Sequence, residues 1–251
     1  MASSAGLQSR ALLFFSAVVT VAAWQSELGR LIFYPFTILA TYAHEMGHGT
    51  VAVVLGGSFD ALEMFPDGSG LARWHGDVGR VGKALVALGG LVGPSILGAL
   101  VLMASRRPRL ARWSLDMLAA LMLGSVLLVV RTAFGALFVL AMAAALFFLA
   151  RVRDGRLGPF AAQFVGIQLC MSVFRDLDYM FSPGGVVDGV AQRSDSSAIA
   201  DALILPYWFW GGVAAGFAFL AVAVGAFVAL RRGPTGEGSQ DADRRPHDAR
   251  T

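Results

Sequence analysis

Long apolar runs recur along the chain and limit what it can fold into. Several reach about 17 residues or more with few charges, which is long enough for a helix to cross a bilayer. Hydrophobic residues make up 56% of the sequence and charged residues only 15%, whereas soluble domains carry about 25% charged residues. Because backbone groups exposed to lipid must be satisfied within the chain, this pattern predicts an all-α polytopic membrane protein.

Six to seven membrane-spanning helices are expected. The clearest spans are predicted at about 31–56, 84–104, 114–130, 132–150, 158–181 and 206–230. A further apolar stretch at 11–23 is short and follows Arg10, so it fits either a retained span or a signal peptide. The chain therefore divides into an N-terminal span within 1–30, a membrane-embedded domain over 31–230 and a polar, disordered tail over 231–251.

Two polar segments interrupt the spans. Residues 57–80 contain the turn sequence "PDGSG" between two short runs, a pattern that predicts a small β-hairpin after the first clear span. Residues 182–204 are predicted to form a polar loop with a short helix at about 195–203.

Arginine residues predict the orientation in the membrane. They cluster at 106–112, 151–156 and 231–232, and short arginine-rich loops stay on the cytoplasmic side. Segments 57–83 and 182–204 then face outside. We expect an integral multi-pass protein of a bacterial plasma membrane, in contact with the lipid bilayer. The net charge is +3, but the basic residues cluster beside the apolar runs, so the charge does not indicate a nucleic-acid partner.

One motif with specific chemistry lies inside the predicted span 31–56. The sequence His44-Glu45-Met46-Gly47-His48 has the spacing H-E-x-x-H. Residues four apart share a helix face, so the two histidines can hold one metal ion, while Glu45 is rotated by about 100° and can act as a general base on a nearby water. A charge in mid-span costs at least ~2.5 kcal/mol, which favours a functional role over incidental polar pairing.

At these residues the chain resembles the site-2 protease family of intramembrane zinc metalloproteases, and more closely its compact M-fifty-B-like branch. The resemblance covers about residues 31–230 and is carried by "ATYAHEMGHGTVAVVLGG", "ALGGLVGPSILGAL", "FVGIQLCMSVFRDLDYMF" and "RSDSSAIADALILPYWFWGG". It implies Zn²⁺ bound by His44 and His48, Glu45 as the catalytic base, β-structure near the active site from residues 57–80, and a membrane-protein or peptide substrate.

A third ligand is expected, because catalytic zinc takes three protein ligands and leaves one position open. The family's Gly-Pro-x-x-Asn segment reads "GPSIL" here, and its Leu-Asp-Gly segment has no clean copy. We favour Asp176, which lies in apolar sequence late in the span 158–181. Asp195 is second and also fits a helix N-cap position next to Ser194. Asp188 is third, since its Asp-Gly pair also fits a simple turn.

The sequence therefore predicts a zinc-dependent membrane metalloendopeptidase. Two alternatives stay open: a metal transporter, and a protease-like scaffold without activity. Transporters often show internal repeats, and we find no such repeat in the sequence. The intact Glu45 argues against a purely structural site, which does not need a base. The sequence gives no indication of the oligomeric state.

Overall fold

A computed structural model describes residues 15, 18, 19, 22, 26–152 and 157–230. The predicted span at 11–23, apart from those four residues, and the predicted tail at 231–251 lie outside the described residues.

The described chain forms seven helices and four short strands. The helices are α1 (Glu27–Val54), α2 (Gly79–Ala104), α3 (Pro108–Leu128), α4 (Ala133–Arg151), α5 (Leu157–Met180), α6 (Asp195–Ala202) and α7 (Tyr207–Leu230). The strands are β1 (Ser58–Met64), β2 (Gly70–His75), β3 (Gly184–Val187) and β4 (Val190–Arg193). The prediction of a helical membrane protein with a small hairpin is confirmed.

Five described helices are long and apolar enough to cross a membrane by length and composition: α2, α3, α4, α5 and α7. Helix α1 has 28 residues but is not among the five, because its two histidines, Glu45 and several hydroxyl-bearing residues lower its mean hydropathy. Instead α1 packs against α2, α5 and the first pair of strands. The part of α1 that carries the two histidines and Glu45 is thus covered by the rest of the fold.

Glycine residues let α2 approach its neighbours closely. A Cβ built on Gly47 of α1 would lie 2.3 Å from the carbonyl oxygen of Gly89 in α2. On the other side of α2, a Cβ on Gly98 would lie 2.7 Å from the backbone nitrogen of Cys170 in α5, and one on Gly166 would lie 2.8 Å from that of Leu102. Small residues at such contacts are typical of helix packing in membranes.

Two antiparallel hairpins lie together at one end of the helical bundle. The first pairs β1 with β2, as predicted for residues 57–80. The second pairs β3 with β4 where the sequence predicted only a polar loop. Its turn uses Asp188 and Gly189, both at positive φ, which suits the tight turns that favour Asp-Gly. The backbone N–H of Asp188 donates to Oγ of Ser69, 3.3 Å away, and so links the two hairpins.

The connection between α3 and α4 reaches the same end. Thr132 is the N-cap of α4, and its Oγ1 accepts a hydrogen bond from Gly135 at 3.2 Å. The same oxygen donates to the carbonyl of Met64 at 2.9 Å, and Leu62 forms a β-bridge with Val130. The turn at Arg131–Thr132 is therefore tied to β1. It follows that the α2–α3 connection, the end of α4 and the start of α5 lie at the opposite end.

We predict that Gly98→Ala and Gly166→Ala destabilise the fold, because each new methyl group would meet backbone rather than a movable side chain. Overpacking of this kind costs about 1–3 kcal/mol. Gly124→Ala is the matched control, since nothing lies within 4 Å of its Cβ position; it should be neutral or stabilising by up to about 1 kcal/mol. Thermal unfolding in detergent measures the difference, and equal midpoints for all three variants would contradict the packing described.

The fold also sharpens the predicted topology. One arginine cluster lies at the end of the bundle away from the hairpins, whereas Asp77 lies between β2 and α2 at the hairpin end; the cluster consists of Arg106, Arg107, Arg109 and Arg112. Cysteines introduced at Leu110 and Asp77 should therefore label from opposite sides of the membrane, with Leu110→Cys reached only from the cytoplasm. Labelling of position 110 by an impermeant reagent added outside intact cells would overturn this orientation.

Candidate metal centre

His44 and His48 lie one turn apart on the face of α1 that looks toward α2 and α6. Their Nε2 atoms are 3.1 Å apart, and the two rings meet edge to face with centroids 4.8 Å apart. The spacing predicted from the sequence therefore brings one nitrogen of each ring to the same point.

Helix α2 fixes the ring of His48. Its Nδ1 lies 2.9 Å from the carbonyl oxygen of Val86, so a proton on Nδ1 is donated there and Nε2 keeps a lone pair for a metal. Gly90 leaves the room for this ring, because a Cβ at that position would lie 2.1 Å from His48 Nε2. The glycine-rich part of α2 thus has a role at the site as well as in packing.

Asp195 completes a group of three metal-binding side chains. Its Oδ2 lies 2.9 Å from Nε2 of His44, and its Oδ1 lies 3.4 Å from Nε2 of His48. The donor atoms of the three residues all lie within 4.8 Å of one another. Two imidazoles and one carboxylate form a donor set that catalytic zinc uses, so the residues fit a zinc ion. In the described part of the chain they form the one group of this kind.

Three serines around Asp195 hold it in place. Ser194 is the N-cap of α6 and its hydroxyl donates to the carbonyl of Ser182 at 2.5 Å. Ser196 donates to the carbonyl of Met180 at 2.6 Å, and Ser197 to that of Pro183 at 2.8 Å. All three serines are buried. The first residue of α6 is therefore fixed to the end of α5.

Glu45 lies beside the three ligands but is not one of the group. It is only 7% exposed, and β2 passes directly over it. The backbone of Ala72 hydrogen-bonds to its carboxylate, and a Cβ on Gly70 would lie 3.0 Å from its Oε1. The first hairpin thus covers the one acidic side chain of the motif and orients it.

The site opens into a cavity of about 500 Å³. Its walls come from α1, α2, β2, β4, α6 and the end of α5. A second cavity, of about 210 Å³, adjoins the first at His44 and Glu45. His44, Glu45 and Tyr179 line both cavities. A chain segment that passes beside His44 and Glu45 would therefore have room in both cavities.

The electrostatics of the group favour an ionised Asp195. Burial alone would raise the pKa of this carboxyl group, but the charge of His48 and the hydrogen bond to His44 outweigh it and hold the pKa well below its usual range. An ionised carboxylate is the form that a metal ion requires.

The structure does not bring Asp176, the ligand favoured from the sequence, into this group. Asp176 lines the second cavity, where its Oδ1 accepts a hydrogen bond from Nε of Arg175 at 3.1 Å. The Arg175 guanidinium balances the charge of Asp176, so this carboxylate can lie in apolar sequence without a metal ion. Asp188 lies at the turn of the second hairpin. The geometry favours Asp195 in place of both as the third ligand.

Several residues of the site were missed in the sequence. Tyr179 contacts Asp195, and its proximity has no sequence signal because 16 residues and a hairpin separate the two. Ser196 and Ser197 follow Asp195 directly, and such a hydroxyl-rich segment at a helix start does signal hydrogen bonding to backbone. His75, by contrast, lies outside the site, paired with Asp60 on the exposed side of the first hairpin.

Comparison with known proteins identifies one matching family. A family model described as Peptidase M50B-like matches residues 13–227, which is most of the chain. No curated protein and no solved structure gives a significant match. The chain, with five apolar helices around its H-E-x-x-H helix, therefore belongs to the Peptidase M50B-like family, a branch of the site-2 proteases of membranes.

Proposed function

We propose that the protein is an intramembrane zinc metalloprotease in which His44, His48 and Asp195 hold the zinc ion and Glu45 is the general base. The observation that carries this proposal is the convergence of three donor atoms within 4.8 Å of one another, beside a buried carboxylate and at the wall of a cavity of about 500 Å³. The family match supports the same activity.

Each residue has a distinct part in the reaction. Bound zinc would supply Lewis acidity, which activates a water molecule and polarises the peptide carbonyl. Glu45 accepts the proton from the attacking water at a carboxylate oxygen and can return it to the leaving amine. The backbone of Ala72 keeps that carboxylate oriented, and β2 limits the access of bulk water to it.

The substrate we propose is a membrane protein or a peptide at the membrane, in a bacterial plasma membrane. Backbone groups of a spanning helix are bonded to one another and shielded, so a segment must unwind before its carbonyl can reach the site. The two cavities that share His44 and Glu45 are suited to such an unwound segment, since polar groups of both hairpins line them.

We predict that purified wild-type protein binds about one zinc ion per chain and that His44→Ala/His48→Ala binds none, because the double change removes two of three ligands. Asp195→Asn should also lower zinc affinity. Asp176→Asn is its matched control: the same change in a nearby carboxylate that pairs with Arg175, and it should keep wild-type zinc content. Elemental analysis after dialysis measures all four proteins.

Loss of zinc in Asp176→Asn together with wild-type zinc content in Asp195→Asn would show that Asp176 is the third ligand. Stoichiometric zinc in the double histidine variant would refute the metal site altogether.

We predict that Glu45→Gln folds and keeps its zinc but loses activity by on the order of 10²–10⁴-fold, since an amide cannot accept the proton. Cleavage of co-expressed single-span membrane proteins, followed by immunoblotting, measures activity alongside zinc content. Undiminished cleavage by this variant would rule out the proposed mechanism. Metal uptake that survives in Glu45→Gln would instead support transport, and zinc binding by a wild type that cleaves no membrane protein would support a scaffold role.

A further inference from the structure

Tyr179 occupies a special position at the metal centre. It lies in the last turn of α5, in the segment "RDLDYMF" that also contains Asp176. It is half-buried and lines both cavities beside the three ligands. Within this segment Tyr179 is the residue whose side chain contacts Asp195.

The hydroxyl of Tyr179 contacts Asp195 in two ways. Its O–H donates to Oδ2 of Asp195 at 3.3 Å, and its oxygen accepts from the backbone N–H of Asp195, also at 3.3 Å. The phenol group thus joins the carboxylate and the backbone of the same residue. Its ring also meets the ring of His44 edge to face, with centroids 6.1 Å apart. Tyr179 therefore touches two of the three proposed ligands.

The serines around Asp195 do not make this contact. Ser194, Ser196 and Ser197 bind backbone carbonyls of residues 180–183 and so fix where α6 begins. These bonds do not fix the side-chain torsions of Asp195, which set where its carboxylate points. The hydroxyl of Tyr179 restrains those torsions, because it bonds to the carboxylate itself. Hydrogen bonds to the ligands of a metal orient them and set its affinity.

We propose that Tyr179 is the positioning residue for the third metal ligand, holding the Asp195 carboxylate toward His44 and His48. This inference rests on the proposed function, since it takes these three residues as the ligands. The hydroxyl of Tyr179, and not its aromatic ring alone, then contributes to metal affinity.

The test compares Tyr179→Phe with Tyr42→Phe in the full-length chain purified in detergent. Each change removes one hydroxyl from a tyrosine within the bundle. Tyr42 donates to Oγ of Ser125 at 3.1 Å, away from the metal centre. Dissociation constants for Zn²⁺ and Co²⁺, measured by competition with a chromophoric chelator, should rise about 10–100-fold in Tyr179→Phe. They should stay at the wild-type value in Tyr42→Phe.

Two further readouts separate positioning from a loss of stability. The visible spectrum of bound Co²⁺ should change in Tyr179→Phe, because the carboxylate is freed to turn, while the unfolding midpoint of the metal-free protein should match that of Tyr42→Phe. In an Asp195→Asn background, Tyr179→Phe should have little additional effect on metal affinity, because residues that act through one another are not additive.

Unchanged affinity and an unchanged Co²⁺ spectrum in Tyr179→Phe would overturn the inference, as would full additivity with Asp195→Asn. In that case a wild type that binds zinc and cleaves substrate leaves the proposed protease intact. A wild type that binds no metal fails at the earlier step and refutes the proposed function itself.

Discussion

The ion pair between Asp195 and the two histidines is the contact on which the arrangement of the site depends. A charged group among apolar helices costs several kcal/mol unless it is paired and hydrogen-bonded. Asp195 is paired in this way: its Oδ2 lies 2.9 Å from Nε2 of His44, and its Oδ1 lies 3.4 Å from Nε2 of His48. The short helix α6 and its serines serve to bring one carboxylate to that position, and removal of either histidine would leave the carboxylate with a single imidazole partner.

The approach of α1 to α2 is the second requirement. His48 can bond to Val86 only because α2 comes close, and α2 comes close because Gly47 and Gly89 have no side chains between the backbones. Gly90 then leaves a space that the imidazole fills. Helix packing and ligand orientation therefore depend on the same residues in this protein. The glycines that let α1 and α2 pack closely also allow Val86 and Gly90 to set the orientation of the His48 ring.

The sequence predicts the helices well, because length and apolar character determine a membrane span with little help from distant residues. It also predicts His44, Glu45 and His48, since their relation is set within one helix. Asp195 is different: it is 151 residues from His44 along the chain, and only the fold determines which carboxylate arrives there. The sequence favours Asp176 because a carboxylate in apolar sequence needs a compensating partner. Arg175, whose Nε lies 3.1 Å from Oδ1 of Asp176, is such a partner, so no metal ion is needed there.

The second hairpin was missed for another cause. Its sequence "VVDGVAQ" carries the Asp-Gly signal for a two-residue turn between short strands, but four-residue strands are too short for alternation to stand out from a polar loop. The three serines at residues 194–197 were recognisable as a helix start, yet their carbonyl partners at 180–183 depend on the hairpin that lies between.

The contact between Ser69 and Asp188 has a consequence for how the site is reached. The tips of two separate hairpins meet there through one hydrogen bond between uncharged groups, and such a bond contributes only on the order of 1 kcal/mol net. Thermal motion parts a link of this strength readily. For the protease function proposed above, this link would add little to the barrier that a substrate segment meets at the hairpins, and the larger cost would be the hydrogen bonds that a helical segment gives up as it unwinds near Glu45.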